Sequence, residues 1–281
     1  MTAARDERGA LAGVTWRAQA RAHLHGVGIG VRVAEADHLP LLLRHLPHGA
    51  VIDPTVKVRR LYSVLRHHGA AGPALHLYAG RRHVAQHVDL EHLARSFAAR
   101  ARHVVAARAR GRIFVHAGVV GWHDRAVVVP GRTLTGKTSL VAELVRAGAD
   151  YYSDEYAVLD EDGWVHPFAK PLSVRTTPGH LPDLVEVTDL GGRAGTAPLR
   201  IGAVLSTCHV PGAGWEPRVA SPGAAALALF DNAVAARSRF REVSDAIAAA
   251  LDGGVFTWEG TRGEAPPVAR WVLAQMAGDR I

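Results

Sequence analysis

One octapeptide limits what this chain can fold into more than any other stretch: Gly131-Arg132-Thr133-Leu134-Thr135-Gly136-Lys137-Thr138, which satisfies G-x-x-x-x-G-K-[ST] at each fixed position. It follows the apolar run Ala126-Val127-Val128-Val129 and leads into Ser139-Leu140-Val141-Ala142-Glu143-Leu144-Val145, whose apolar spacing is helical. Strand, glycine-rich loop and helix, in that order, form the setting in which this motif cradles phosphate. The N–H groups of the loop and of the first helical turn have no backbone partner and carry the positive end of the helix dipole, so they attract an anion. The pattern assigns Gly131, Thr133, Leu134, Thr135, Gly136, Lys137, Thr138 and Ser139 to the phosphates of a nucleotide. Lys137 then reaches the β- and γ-phosphates, and the Thr138 hydroxyl ligates Mg²⁺. Residue usage agrees: in a chain with 33 Lys plus Arg, lysine stands only at Lys57, Lys137 and Lys170.

The 281 residues, 48% hydrophobic and 21% charged, describe an ordinary globular protein with room for one large domain or two modest ones. No apolar run approaches the roughly 18 residues of a membrane span, and the N-terminal stretch lacks the apolar core of a signal peptide, so a cytoplasmic protein without a membrane partner is expected. Cys208 is the only cysteine, which excludes an intramolecular disulfide and a cysteine-based zinc cluster; its run from Ile201 predicts a buried, inert thiol. The formal charge of +7 comes from arginines spread along the chain. No basic helix with interleaved aromatics accompanies them, so a nucleotide, a phosphorylated product or an acidic partner is expected rather than a nucleic acid.

Along the chain, residues 1–22 read as a polar lead-in. Alternation predicts strands over 27–33, 61–66, 75–78 and 83–88, with a short helix over 37–46. Asp89 caps a long helix striped with Leu90, Leu93, Phe97, Ala101, Val104 and Val105. Residues 1–110 thus read as a small α+β N-terminal domain with a linking helix. Twelve of the 17 histidines precede residue 110, but none has metal-motif spacing, and a histidine-rich surface is expected. Residues 111–281 form the second domain. The strand over 113–122 reaches the loop-bearing strand through only His123-Asp124-Arg125, so the two pair as an antiparallel hairpin, since a parallel crossover needs roughly a dozen residues. Strands over 151–159, 164–168, 172–175, 201–207 and 255–258 and helices over 223–237, 242–251 and 267–276 complete an α/β fold with a mixed sheet.

Transfer chemistry needs groups beyond the phosphate loop. Asp154-Glu155 lies where the chain returns after the first helix; one carboxylate suits Mg²⁺ and one suits the proton of an attacking hydroxyl. Neighbours on a regular strand face opposite ways, so the two share a pocket only if the strand bends or begins there. His116, in the strand beside the loop, is a candidate donor to the γ-phosphate, and Arg175 a candidate for charge on the transferred group.

Phe114-Val115-His116-Ala117-Gly118-Val119-Val120, the loop from Gly131 to Thr138, and Tyr152-Ser153-Asp154-Glu155 together resemble the kinase domain of HPr kinase/phosphorylase and its bacterial relatives. The intervals of 15 residues from His116 to Gly131 and 17 from Lys137 to Asp154 keep that family's register. The resemblance covers roughly residues 112–260. It implies a phosphate-loop fold akin to phosphoenolpyruvate carboxykinase, ATP and Mg²⁺ as cofactors, and transfer to a serine hydroxyl. It matches His116 to the family's active-site histidine and Asp154-Glu155 to its paired aspartates. The second acid is a glutamate here, and Ser173 stands where the family has a later metal-binding glutamate. By this resemblance the acceptor is a serine of a peptide or small protein, such as a ribosomal precursor peptide, and the chain forms a homo-oligomer. A small-molecule hydroxyl kinase and a non-catalytic nucleotide sensor or scaffold are the alternatives.

Overall fold

A computed structural model of the chain describes residues 11–69, 72–131, 135–174 and 182–278, with mixed α/β structure throughout. It divides into two compact units, Met1–Arg110 and Gly111–Ile281.

The first unit contains β1 (Ala18–Leu24), β2 (Val27–Val33), α1 (Leu39–Arg44), β3 (Val51–Ile52), β4 (Arg60–Gly69), β5 (Gly72–Ala79), β6 (Arg82–His87) and α2 (Leu90–Arg108). Its sheet runs β3-β1-β2-β4-β5-β6, with β2 and β4 parallel and the other neighbours antiparallel. The lead-in expected over residues 1–22 is corrected by β1, which pairs residue by residue with β2. Its sequence, Ala-Gln-Ala-Arg-Ala-His-Leu, does alternate, but alanine is a weak strand former and hides the pattern. His25 and Gly26, both at positive φ, close this hairpin. The Asp89 carboxylate accepts the His92 N–H at the start of α2, and Phe97 meets Tyr62 edge to face at 5.2 Å.

The second unit contains β7 (Ile113–Trp122), β8 (Arg125–Pro130), α3 (Lys137–Arg146), β9 (Asp150–Ser153), β10 (Tyr156–Leu159), β11 (Val165–His166), β12 (Leu172–Val174), β13 (Asp183–Val185), β14 (Arg200–His209), β15 (Glu216–Val219), α4 (Pro222–Asp231), α5 (Phe240–Leu251), β16 (Phe256–Arg262) and α6 (Ala265–Ala277). The main sheet runs β11-β10-β7-β8-β14-β16-β15, with β9 also on β7. β7 and β8 form the antiparallel hairpin, turning at His123 (φ 45°) and Asp124 (φ 59°), while β8, β14 and β16 are mutually parallel. The sheet is therefore mixed.

Alternation along the strands makes two cores. Val115, Ala117, Val119, Val128 and Val204 lie with Leu229, Val243 and Ile247 of α4 and α5. Val120, Val127, Val129, Ala203 and Leu205 lie on the opposite face with residues of α3 and α6. The helix expected over 223–237 stops at Asp231, because the chain turns to pair with β7: Asn232 O accepts the His116 N–H and the Val234 N–H donates to Phe114 O. Cys208 is exposed rather than buried. Burial along β14 ends at Leu205, and Cys208 falls in the exposed end of the strand. Among the described residues, no helix is long and apolar enough to cross a membrane.

Candidate functional site

The hairpin and the parallel strands converge on the loop. The Gly131 N–H donates to His116 O at 3.0 Å, so the chain leaves β8 against the middle of β7. Residues 132–134, including Thr133 and Leu134, lie outside the described residues, as does Arg175. At the far side of the loop Gly136 caps α3 with φ 79°, a left-handed conformation that favours glycine. Thr135, Gly136, Lys137 and Thr138 are half-buried at this helix start and Ser139 is exposed. Beneath the loop sits Arg262, the last residue of β16 and only 2% exposed. Its Nη2 donates to Gly136 O at 2.8 Å and its Nη1 to Gly263 O at 3.0 Å. It forms no ion pair within 4 Å among the described residues; burial lowers its pKa while the charge of Glu264 acts the other way, and the buried guanidinium stands against the residue that caps α3.

The strand expected over 151–159 is two strands, and the break falls on the acid pair. β9 and β10 both pair with β7, but Ser153 Oγ accepts N–H groups from Glu155 (3.1 Å) and Tyr156 (2.9 Å). That local side-chain bond competes with the ladder and bends the chain at residues 154 and 155. The bend removes the face alternation that would separate the two carboxylates. Lys170 Nζ lies 2.6 Å from Asp154 Oδ1 and 3.8 Å from Glu155 Oε2.

Asp154, 6% exposed, accepts hydrogen bonds through both oxygens. Oδ1 accepts from Lys170 Nζ and, at 3.1 Å, from the Tyr151 hydroxyl. Oδ2 accepts from Thr138 Oγ1 at 3.2 Å and from the Ser173 N–H at 3.1 Å. Burial pushes the Asp154 carboxyl up, but the Lys170 charge and hydrogen bond, the Ser173 N–H and the Tyr151 hydroxyl outweigh it and hold the group below the usual carboxylate range. The same carboxylate, together with burial as the larger cause, pushes the Tyr151 hydroxyl up.

Lys137 Nζ lies 3.4 Å from Thr135 Oγ1. Burial lowers its pKa, with the charges of Asp154 and Glu155 acting the other way. His116 is placed by strand parity. A Cβ on Gly118, two residues along β7, would lie 2.5 Å from Val141 Cγ2 and 3.9 Å from Lys137 Cβ, so this face of β7 looks at α3. His116 shares the face, directly opposite Tyr156, whose ring lies 4.8 Å from the imidazole.

Gly131, Thr135, Gly136, Lys137, Thr138, His116, Asp154 and Glu155 are thus brought together in the middle of the sheet, where β8 ends against β7. No protein-family model matches this chain, and no curated protein matches it either. No sequence motif marks Lys170 or Arg262 as a site residue. The rarity of lysine was the signal for Lys170; Arg262 is one arginine among many and gave none.

The donor set suits Mg²⁺. Two cis ligands at the roughly 2.0–2.1 Å of octahedral Mg²⁺ lie about 2.9 Å apart. Thr138 Oγ1 and Asp154 Oδ2, hydroxyl and ionised carboxylate at 3.2 Å, come close to that spacing.

Proposed function

We propose that this chain is an ATP- and Mg²⁺-dependent kinase that transfers the γ-phosphoryl group to a hydroxyl, a serine of a peptide or small protein. In this reading Gly111–Ile281 is a phosphate-loop kinase domain of the HPr kinase type with a mixed sheet, and the first unit is its N-terminal domain. The observation that carries the proposal is the contact between Thr138 Oγ1 at the start of α3 and Asp154 Oδ2 in the β9–β10 bend, with Glu155 beside it. Binding a nucleotide needs no second carboxylate facing the same pocket, whereas transfer to a hydroxyl uses one to take the hydroxyl proton.

The roles follow from the surroundings of each group. Thr138 and Asp154 would hold Mg²⁺, and the ion, when bound, would supply positive charge against the β- and γ-phosphates. Loop N–H groups and Lys137 orient the phosphate chain, and burial of Lys137 strengthens its pull by excluding water. Asp154 is buried and held below the usual carboxylate range, and its Oδ2 lies beside the Thr138 hydroxyl, so it is suited to hold a cation rather than to take a proton. Glu155, with its side chain 24% exposed, faces the acceptor. It receives the hydroxyl proton as the acceptor oxygen bonds to the γ-phosphorus. The bond from that phosphorus to the β,γ-bridging oxygen breaks, and ADP leaves with the electron pair. His116 lies on the same face and donates to a γ-phosphate oxygen.

Incubation with γ-labelled ATP, Mg²⁺ and serine-containing peptides tests the reading. The wild type is expected to label a peptide, and Glu155→Gln to bind a fluorescent ATP analogue normally while losing transfer by about 100-fold or more. A wild type that binds no ATP, or a Glu155→Gln variant with unaltered transfer, would overturn it.

A further inference from the structure

We propose that Lys170 is a built-in second cation of this site: its ammonium takes the place that a second divalent ion has in two-metal phosphoryl-transfer sites, so the site works with a single Mg²⁺. This rests on the kinase reading above.

The first argument is position. Asp154 presents one oxygen to each of two places. Oδ2 faces Thr138, the Mg²⁺ side, and Oδ1 faces Lys170 at 2.6 Å. A carboxylate shared between two cations is how two-metal sites hold their ions roughly 3.5–4 Å apart. Here the second place is filled by a side chain of the chain itself. The same Nζ stands 3.8 Å from Glu155 Oε2, so it also offsets the repulsion that two carboxylates in one bend would otherwise feel.

The second argument is fixation. Lys170 is held on several sides: beyond Asp154, its Nζ donates to Pro171 O at 3.3 Å and to Ser173 Oγ at 3.4 Å. Its side chain is 14% exposed. A compact ammonium suits a one-point cation place, whereas the broad fork of arginine does not. This chain otherwise uses arginine for nearly all its positive charge. An ammonium at hydrogen-bond distance from Oδ1 leaves no room there for a metal ion.

The test counts ions. Mn²⁺ in place of Mg²⁺ is titrated, by electron paramagnetic resonance, into protein saturated with a non-hydrolysable ATP analogue. The wild type is expected to bind one ion per chain, and Lys170→Ala two. In transfer assays Lys170→Ala is expected to lose on the order of 100-fold at low Mg²⁺. It should regain part of that loss with a second-order dependence on Mg²⁺, where the wild type is first order. Two ions in the wild type would overturn the proposal, and that count stands even if Lys170→Ala does not fold. So would a folded Lys170→Ala that binds one ion with an unchanged Mg²⁺ dependence. Failure of the kinase reading looks different: the ATP analogue itself does not bind the wild type, and the proposal falls with it.

Discussion

The guanidinium of Arg262 donates to the carbonyl oxygen of Gly136 across 2.8 Å, tying the end of β16 to the residue that caps α3. Gly136 is fixed there twice over. Its φ of 79° suits glycine, and a Cβ would lie 2.4 Å from Arg262 Nη2. Gly136→Ala should therefore cost about 1–3 kcal/mol of stability from backbone strain and weaken ATP binding further by displacing the loop N–H groups. Urea unfolding and titration with a fluorescent ATP analogue check the two effects. Unchanged values for both would mean that the brace is dispensable.

Gly118 serves close approach rather than conformation. A side chain there would meet Val141 Cγ2 at 2.5 Å, forcing α3 away from β7. Gly118→Ala is expected to destabilise by about 1–3 kcal/mol, as overpacked cores do. Combining it with Val141→Ala should recover part of that loss, since residues in contact are not additive. A double mutant whose loss equals the sum of the single losses would show that the strain lies elsewhere.

The order of β8 before and α3 after the glycine-lysine pattern, and the hairpin that feeds it, were readable in the sequence because both rest on short-range chemistry: a glycine-lysine pattern, and a turn too short for a crossover. The bend at Asp154-Glu155 was not. The stretch Tyr151-Tyr152-Ser153-Asp154-Glu155-Tyr156-Ala157-Val158-Leu159 reads as one strand by propensity, and only the Ser153 hydroxyl, accepting two N–H groups, breaks it. The end of α4 was hidden for a similar reason: Ala233 bridges Val115 of a distant strand, a tertiary pairing that overrides helical periodicity. Lys170 and Arg262 reach the site from 16 and 126 residues away in sequence, measured to Asp154 and Gly136. No local pattern announces contacts of that kind.

Asp154 makes stability depend on pH in a predictable direction. Its carboxyl is held below the usual range in the fold, so the unfolded chain binds more protons as pH falls toward the folded value. The contribution is fully present above the unfolded pKa near ~3.9 and is lost as pH falls through the folded pKa. Asp154→Asn leaves the Lys170 ammonium without its closest partner and should cost about 3–5 kcal/mol at pH 7. The gap between wild type and variant should narrow below about pH 4. Urea midpoints of both proteins between pH 7 and pH 3 measure it; a gap constant with pH would show that the carboxylate charge contributes nothing.

In the first unit, His76 on β5 provides a second pH dependence of the same sign at higher pH. Its Nδ1 lies 3.1 Å from His83 Nε2, and its ring stands edge-on to that of His67 at 4.9 Å. Burial, followed by the charges of His67 and His83, pushes its pKa down to about 4. The unfolded imidazole titrates near ~6.5, so between the two values the unfolded chain binds the extra proton and stability falls as pH falls. His76→Gln should flatten that part of the profile while leaving the steeper loss from Asp154 at lower pH. Two measurements decide it: the titration midpoint of the His76 ring by NMR, expected near about 4, and unfolding midpoints of both proteins from pH 7 to pH 4. A ring that titrates near the unfolded value, or a variant with the wild-type slope, would show that the His76 ring stays accessible to protons in the folded sheet.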